Sequence, residues 1–210
     1  RLRDDPLMMP YYTGAIMPTP QKAEYRDEYV SMAKVAIVIG KDADKGQAQA
    51  ALLVDRIQRY GGAAEIKDAP SADVTAVISL GNTGISAQIR DTPATPDKPE
   101  AYLLQTTNTG GKPVFILKSR DALGMTWAVS SLMQLIHSKD GKVHARAANV
   151  VDYPRGGLRG YQGADSGYLF YSLAFFSYGR NKDATEPDTA ALMRREQQYL
   201  VFSKQNTPVY

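Results

Sequence analysis

Apolar and polar positions alternate along this chain in segments that switch between a strand period and a helix period. Residues 33–40 (AKVAIVIG) are a short β-branched run closed by glycine, the pattern of a strand buried on both faces. Asp44 stands where a cap belongs for a helix running to about Tyr60, in which Ala50, Leu53, Val54 and Ile57 fall at i, i+3, i+4 and i+7. Gly61 and Gly62 supply its left-handed stop. Residues 64–67 and 74–80 read as further strands, and the prolines Pro93, Pro96 and Pro99 mark 91–100 as an exposed loop. Residues 101–107 (AYLLQTT) and 113–118 (PVFILK) flank Asn108-Thr109-Gly110-Gly111, which makes a hairpin the simplest reading. Ser119 is then expected to cap a second helix reaching about His137, with Met125, Val129, Leu132, Met133 and Ile136 on one stripe and Asp140-Gly141 ending it. Residues 143–151 return to the sheet. Ahead of all this, Pro6, Pro10, Pro18 and Pro20 break regular structure, so 1–32 reads as an extended lead-in.

The order β-α-β-β-β-β-α-β predicts an α/β (α+β) fold, a mixed β-sheet with two main helices packed on it, over residues 33–152. Composition changes at Asp152. Pro154 and then Gly156, Gly157, Gly160, Gly163 and Gly167 follow, with 158–161 reading as a strand among them. Residues 168–178 (YLFYSLAFFSY) are apolar at nearly every position, which suits a segment buried inside a larger assembly. Left open, this run would form a patch for self-association. Residues 189–204 carry a weaker helical register, so 153–210 is expected to be a linker and the start of a second unit.

Bulk properties narrow the function classes. The chain has 210 residues, 43% of them hydrophobic, enough for a core. Its 25 basic and 22 acidic side chains leave a net charge of +3 with no basic cluster, which argues against a nucleic-acid stripe or a membrane patch. Cysteine is absent, which removes disulfides, thiolate metal sites and cysteine nucleophiles. No run approaches the ~18 apolar residues of a spanning helix. Arg1-Leu2-Arg3-Asp4-Asp5 lacks the apolar core of a signal peptide, so a secreted or periplasmic protein would already have lost its leader.

Four segments, in order, carry a family resemblance. Met17-Pro18-Thr19-Pro20-Gln21-Lys22 followed by Tyr25 resembles a "P-x-P-Q" opening, and Glu100-Ala101-Tyr102-Leu103-Leu104 resembles an "E-G/A-Y-x-L" strand. Asp121 to Ala128 and then Leu132-Met133-Gln134-Leu135-Ile136 resemble "G-x-x-Y-G-x-x-T-L-x-Q-L". Val151-Asp152-Tyr153-Pro154 with Arg159-Gly160 resembles a "D-x-P … R-G" linker. Together they are similar to the N-terminal domain and barrel approach of family-20 and family-84 glycoside hydrolases, the β-N-acetylhexosaminidase-like enzymes. The resemblance implies a small α/β domain beside a (β/α)8 barrel. It also implies a chemistry in which an acid protonates the glycosidic oxygen while the substrate's 2-acetamido carbonyl attacks the anomeric carbon, oriented by a second carboxylate. In the family those paired carboxylates lie on a later barrel strand, and the residues after Arg159 are too few for a barrel of ~250. No catalytic residue is therefore assigned within this chain.

Arg159 is the leading candidate for sugar contact, because its counterpart resembles a guanidinium that forks onto vicinal hydroxyls; the plain alternative is a linker arginine paired at a domain interface. Asp165 stands where the end of a strand would face a barrel mouth, against the commoner reading of a solvated loop aspartate. Leu80-Gly81-Asn82-Thr83-Gly84 lacks the lysine of a phosphate-binding loop and reads as a tight strand-to-helix turn. His137 and His144 have no carboxylates at ligand spacing and read as structural, so no metal and no cofactor is expected. Trp127 lies beside the apolar stripe and reads as core rather than as a sugar platform. No Gly-X-Ser-X-Gly elbow is present. The implied partners are an N-acetylhexosaminide or glycan and the remainder of the barrel. The alternative is a non-catalytic scaffold or carbohydrate-binding module with the same fold. A nucleotide-binding reading fails for want of the glycine fingerprint.

Overall fold

In the computed structural model, residues 14–43 and 46–155 are described, and they form one compact unit. The β-branched run after Ala33 becomes β2 (Lys34–Ile39), and it is followed by α1 (Gly46–Arg59), β3 (Ala63–Ile66) and β4 (Ala76–Leu80). The expected hairpin is present as β5 (Tyr102–Thr109) and β6 (Lys112–Ser119), paired from Tyr102↔Ser119 to Thr109↔Lys112 so that Gly110 and Gly111 form the loop. Then come α2 (Ala122–Leu135), β7 (Ile136–Lys139) and β8 (Lys142–Asp152). The sheet runs β1-β8-β5-β6-β4-β2-β3, with β1 at Lys22–Ser31 and β7 paired to β8 off that path. Pairings β2–β3, β2–β4 and β4–β6 are parallel, and the others are antiparallel, so the sheet is mixed as expected.

Both helices lie together on one face of the sheet. Leu53 and Ile57 of α1 and Val129 and Leu132 of α2 are fully buried, as the helical register requires. The helices are also joined by polar side chains. Gln49 Nε2 donates to Ala122 O at 2.8 Å and to Thr126 Oγ1 at 3.1 Å. Arg56, only 4% exposed, donates from Nε to Met133 O and from Nη2 to Ile136 O, at 3.2 and 3.3 Å. Its guanidinium thus adds donors to carbonyls at and just past the C-terminus of α2, where a cation is also favoured by the helix dipole. The opposite face of the parallel strands carries Ala36, Val38, Val77, Val114 and Ile116, covered by Ile85 and Ile89 from the segment after β4.

Three local expectations are corrected. Residues 22–31, read as part of an extended lead-in, form the edge strand β1, paired with β8 from Lys22↔Val151 to Ser31↔His144. A bulge between Tyr25 and Tyr29 breaks its period, and Lys22, Glu24, Asp27 and Glu28 are exposed on it, so neither alternation nor apolarity announces the strand. Arg146 holds the bulge by donating to Arg26 O at 2.9 Å and Gly14 O at 2.6 Å, with its guanidinium over the Tyr25 ring. The second helix stops at Leu135, not near His137, and Asp140-Gly141 is a hairpin turn between β7 and β8 rather than a helix stop. Both turn residues have positive φ, 52° and 71°, the backbone a tight two-residue hairpin loop demands. The cap of α2 is Asp121, whose side chain accepts from Gly124 N, and not Ser119. Asp44, 153–210 beyond Arg155, and the barrel start expected there fall outside the described residues.

Candidate functional site

The amino end of β5 and the carboxyl ends of β6 and β8 lie at one edge of the sheet, since Tyr102 pairs with both Ser119 and Asp152. The four motif-bearing segments meet at this edge and on the adjoining helix. Tyr102 donates its hydroxyl proton to Asp152 Oδ2 at 3.0 Å and lies 2.7 Å from Ser131 Oγ of α2. Asp152 Oδ1 accepts from the backbone N–H of Gln21 at 3.1 Å and of Tyr153 at 2.9 Å, and Gln21 Nε2 donates to Tyr153 O. Gln134 of α2 grips the opening segment at both ends of its amide: Oε1 accepts from Met17 N at 2.7 Å and Nε2 donates to Met17 O at 2.8 Å.

The start of α2 is fixed to β5 in the same manner. Trp127 Nε1 donates to Glu100 Oε2 at 2.7 Å, while Glu100 N donates to Asp121 Oδ2 at 2.8 Å. Glu100 occupies the left-handed region (φ 59°), which costs about 1 kcal/mol or more for a residue with a Cβ and persists only when neighbours enforce it. Gly124 must be glycine, since a Cβ there would sit 2.5 Å from Ala101 O. Residue types in the motifs are therefore explained by mutual contact.

The centre of this network is packed away from solvent, while Gln21, Asp152 and Tyr153 at its rim are half-buried. Tyr102, Ser131, Trp127, Gln134 and Glu100 are all buried. Burial first, and then the charge of Asp152, push the Tyr102 hydroxyl well above its ordinary range, so it remains a hydrogen-bond donor rather than a proton shuttle at neutral pH. The chemistry of the site is positional: it sets the direction in which the chain leaves Asp152 and Tyr153.

The sequence candidates divide as follows. Arg159 and Asp165 lie outside the described residues. Trp127 is core, 3% exposed, as its register implies. His137 and His144 oppose each other across β7 and β8 with ring centroids 6.3 Å apart, and each Nδ1 faces the carbonyl two residues earlier. Among the described residues no group of three or more histidine or acidic side chains is placed to hold a metal. Gly81 to Gly84 form a tight turn into a 3-10 segment at Ser86–Gln88. Sequence reasoning missed the pairing of Gln21 with Asp152 and of Gln134 with Met17; polar residues inside the quoted motifs were the available signal.

A mixed sheet carrying two helices on one face, with its motif residues braced against one another, defines an α+β domain. The family model of glycosyl hydrolase family 20, domain 2, matches residues 13–153, and the chain belongs to that family through this domain. Among solved structures, an inactive variant of the family-20 exo-β-N-acetylglucosaminidase from Vibrio harveyi is similar with 16% identity and a TM-score of 0.50, over 78% of this chain and 24% of that one. The protein described as CpGH84D is similar with 13% identity and a TM-score of 0.55, over 91% of this chain and 36% of that one. These likenesses establish the fold, and this chain spans only about a quarter to a third of their length. No curated protein matches the chain.

Proposed function

We propose that this chain is the accessory domain of a glycoside hydrolase that acts on N-acetylhexosaminides, with hydrolysis carried out by residues beyond the described unit. The observation that supports this reading most is the match of family 20, domain 2, across 13–153, the span in which the polar motif residues are buried and paired with one another. In the proposed reaction the substrate's 2-acetamido carbonyl displaces the leaving group with inversion while a carboxylic acid protonates the departing oxygen, and water then opens the resulting cyclic oxazolinium ion with a second inversion, giving net retention. The accessory domain takes no part in bond making. Its network at Gln21, Tyr102, Ser131 and Asp152 holds the segment that leads toward Arg159.

Arg159 is proposed to fork onto vicinal sugar hydroxyls, and Asp165 to face the sugar from a strand end. The test uses the protein encoded by the whole reading frame. It should release the aryl group from an aryl N-acetyl-β-glucosaminide, and Arg159→Lys should lower kcat/KM by more than the ~1 kcal/mol of a rim charge, because a lysine cannot reproduce the bidentate fork. Unchanged kinetics would assign Arg159 to the linker, and an inactive whole protein would favour the scaffold or carbohydrate-binding reading.

A further inference from the structure

We propose that a cleft at the carboxyl ends of β2, β4 and β6 binds a neutral polyhydroxylated molecule of monosaccharide size, independently of any hydrolysis. The three strands run parallel, and the chain leaves β2 for α1 and β3 on one side while β4 and β6 lie on the other. Connections that diverge from a parallel sheet in this way leave a crevice beyond the strand ends, the place where open α/β sheets take their ligands. Here the crevice encloses about 310 Å³, at the small end of the range for small-molecule sites. Residues 92–95 line it from the loop after the 3-10 turn, and Lys118 and Ser119 from the end of β6.

The β2 and β4 connections are locked together before any ligand arrives. Asp42 accepts from the Asn82 backbone N–H at 2.7 Å and from Asn82 Nδ2 at 2.6 Å. Gly81 has φ 75°, and a Cβ on it would lie 2.6 Å from Asp42 Oδ1; a Cβ on Gly40 would lie 2.6 Å from Asn82 O. Both glycines are needed for the two loops to touch, so this wall is rigid and preorganised.

The chemistry of the lining selects the ligand class. Among the described residues its charged groups are one carboxylate, Asp42, and one ammonium, Lys118, which together disfavour a strongly anionic ligand such as phosphate. Among the described residues neither the Lys118 ammonium nor the Thr95 hydroxyl has a hydrogen-bond partner, while the oxygens of Asp42 retain unused lone pairs. Among the described residues no aromatic ring lines the cleft and its apolar part is limited to Pro93, Ala94 and Met125, so none of them stacks a nucleobase. Donors and acceptors of balanced charge around a small volume fit hydroxyl and amide groups, each able to give and accept.

Amide chemical shifts of the 210-residue chain, titrated separately with N-acetylglucosamine and with inorganic phosphate, decide the matter. N-acetylglucosamine should give saturable shifts at Gly81, Asn82, Thr95 and Ser119, phosphate none. Lys118→Met should keep the apolar stem and the overall spectrum while weakening the titration about tenfold or more, the loss of a hydrogen bond to a charged donor. Thr95→Val, on an exposed loop, should weaken it as well and guards against a misfolded lysine variant. The proposal is overturned if the sugar causes no saturable shift at these amides, if phosphate causes them instead, or if both variants titrate like the parent. Because the readout is binding at the cleft, inactivity of the whole protein as a glycosidase would leave the result unaffected.

Discussion

At the scale of single residues, the unit is held by a few buried polar side chains whose partners lie far away in sequence. Trp127→Phe keeps most of the apolar volume but removes the donor to Glu100 Oε2 in a buried setting. A hydrogen bond to an acidic group is worth about 1.5–3 kcal/mol, so the urea midpoint should fall accordingly. A loss below ~0.5 kcal/mol would show that Glu100 is satisfied without the indole. His137 gives a pH signature. Burial lowers its pKa in the fold, with His144 and Lys139 adding to the effect, so the unfolded chain binds the proton more readily. Stability attributable to His137 is therefore present above its unfolded value near pH 6.5 and lost as pH falls through the lower folded value. His137→Phe should flatten the dependence of unfolding free energy between about pH 5 and 7, measured in urea at each pH. An unchanged slope would move the effect to other groups.

Residues differed in how readable they were. Leu53, Ile57, Val129 and Leu132 are buried where a 3.6-residue period places them. Arg56 and Gln49 sit on the same helix and were illegible, because a charged or amide side chain ordinarily marks a solvated face and nothing local reveals a carbonyl waiting on α2. Gln134 and Asp152 were visible only as members of motifs; their partners needed the fold.

At the scale of elements, the strands that were legible are those buried on both faces, β2 and β4 above all, and the hairpin announced by Gly110-Gly111. Those that were not are the edge strand β1 and the short β7. In β1 the bulge and the exposed charges erase the pattern. In β7 the apolar register of α2 runs on into Ile136, and only Asp140-Gly141, equally a helix stop and a hairpin turn, separates the two readings. The glycines distinguish them by experiment. Gly141 has φ 71° with open space where a Cβ would go, so Gly141→Ala should cost only the backbone penalty of about 1–2 kcal/mol. Gly62→Ala would place a Cβ 2.4 Å from Met32 O and 2.7 Å from side chains of Ile57 and Val143, and should destabilise by clearly more. Equal losses in calorimetry would mean that the packing behind α1 is not as described.

At the scale of the molecule, the chain matches only part of the proteins it resembles. The family-20 match ends at residue 153, two residues before the described structure does, and this chain covers 24% and 36% of the two solved proteins it resembles. The apolar run at 168–178 lies outside the described residues; from its sequence alone it should drive association if it lacks a partner domain. Light scattering on the 210-residue chain should then show assemblies, and a version ending at Arg155 should remain monomeric; two monomeric samples would contradict this. The four ordered motifs made the family legible because their residues brace one another across β1, β5, α2 and β8, whereas substrate preference was not legible, since the side chains at the centre of that brace are spent on one another. The central proposal is that this domain supports hydrolysis carried out by residues outside it. Its most direct test is the turnover of an aryl N-acetyl-β-glucosaminide by the folded, mass-verified 210-residue chain: the account predicts no release above buffer, and sustained release proportional to chain concentration would contradict it.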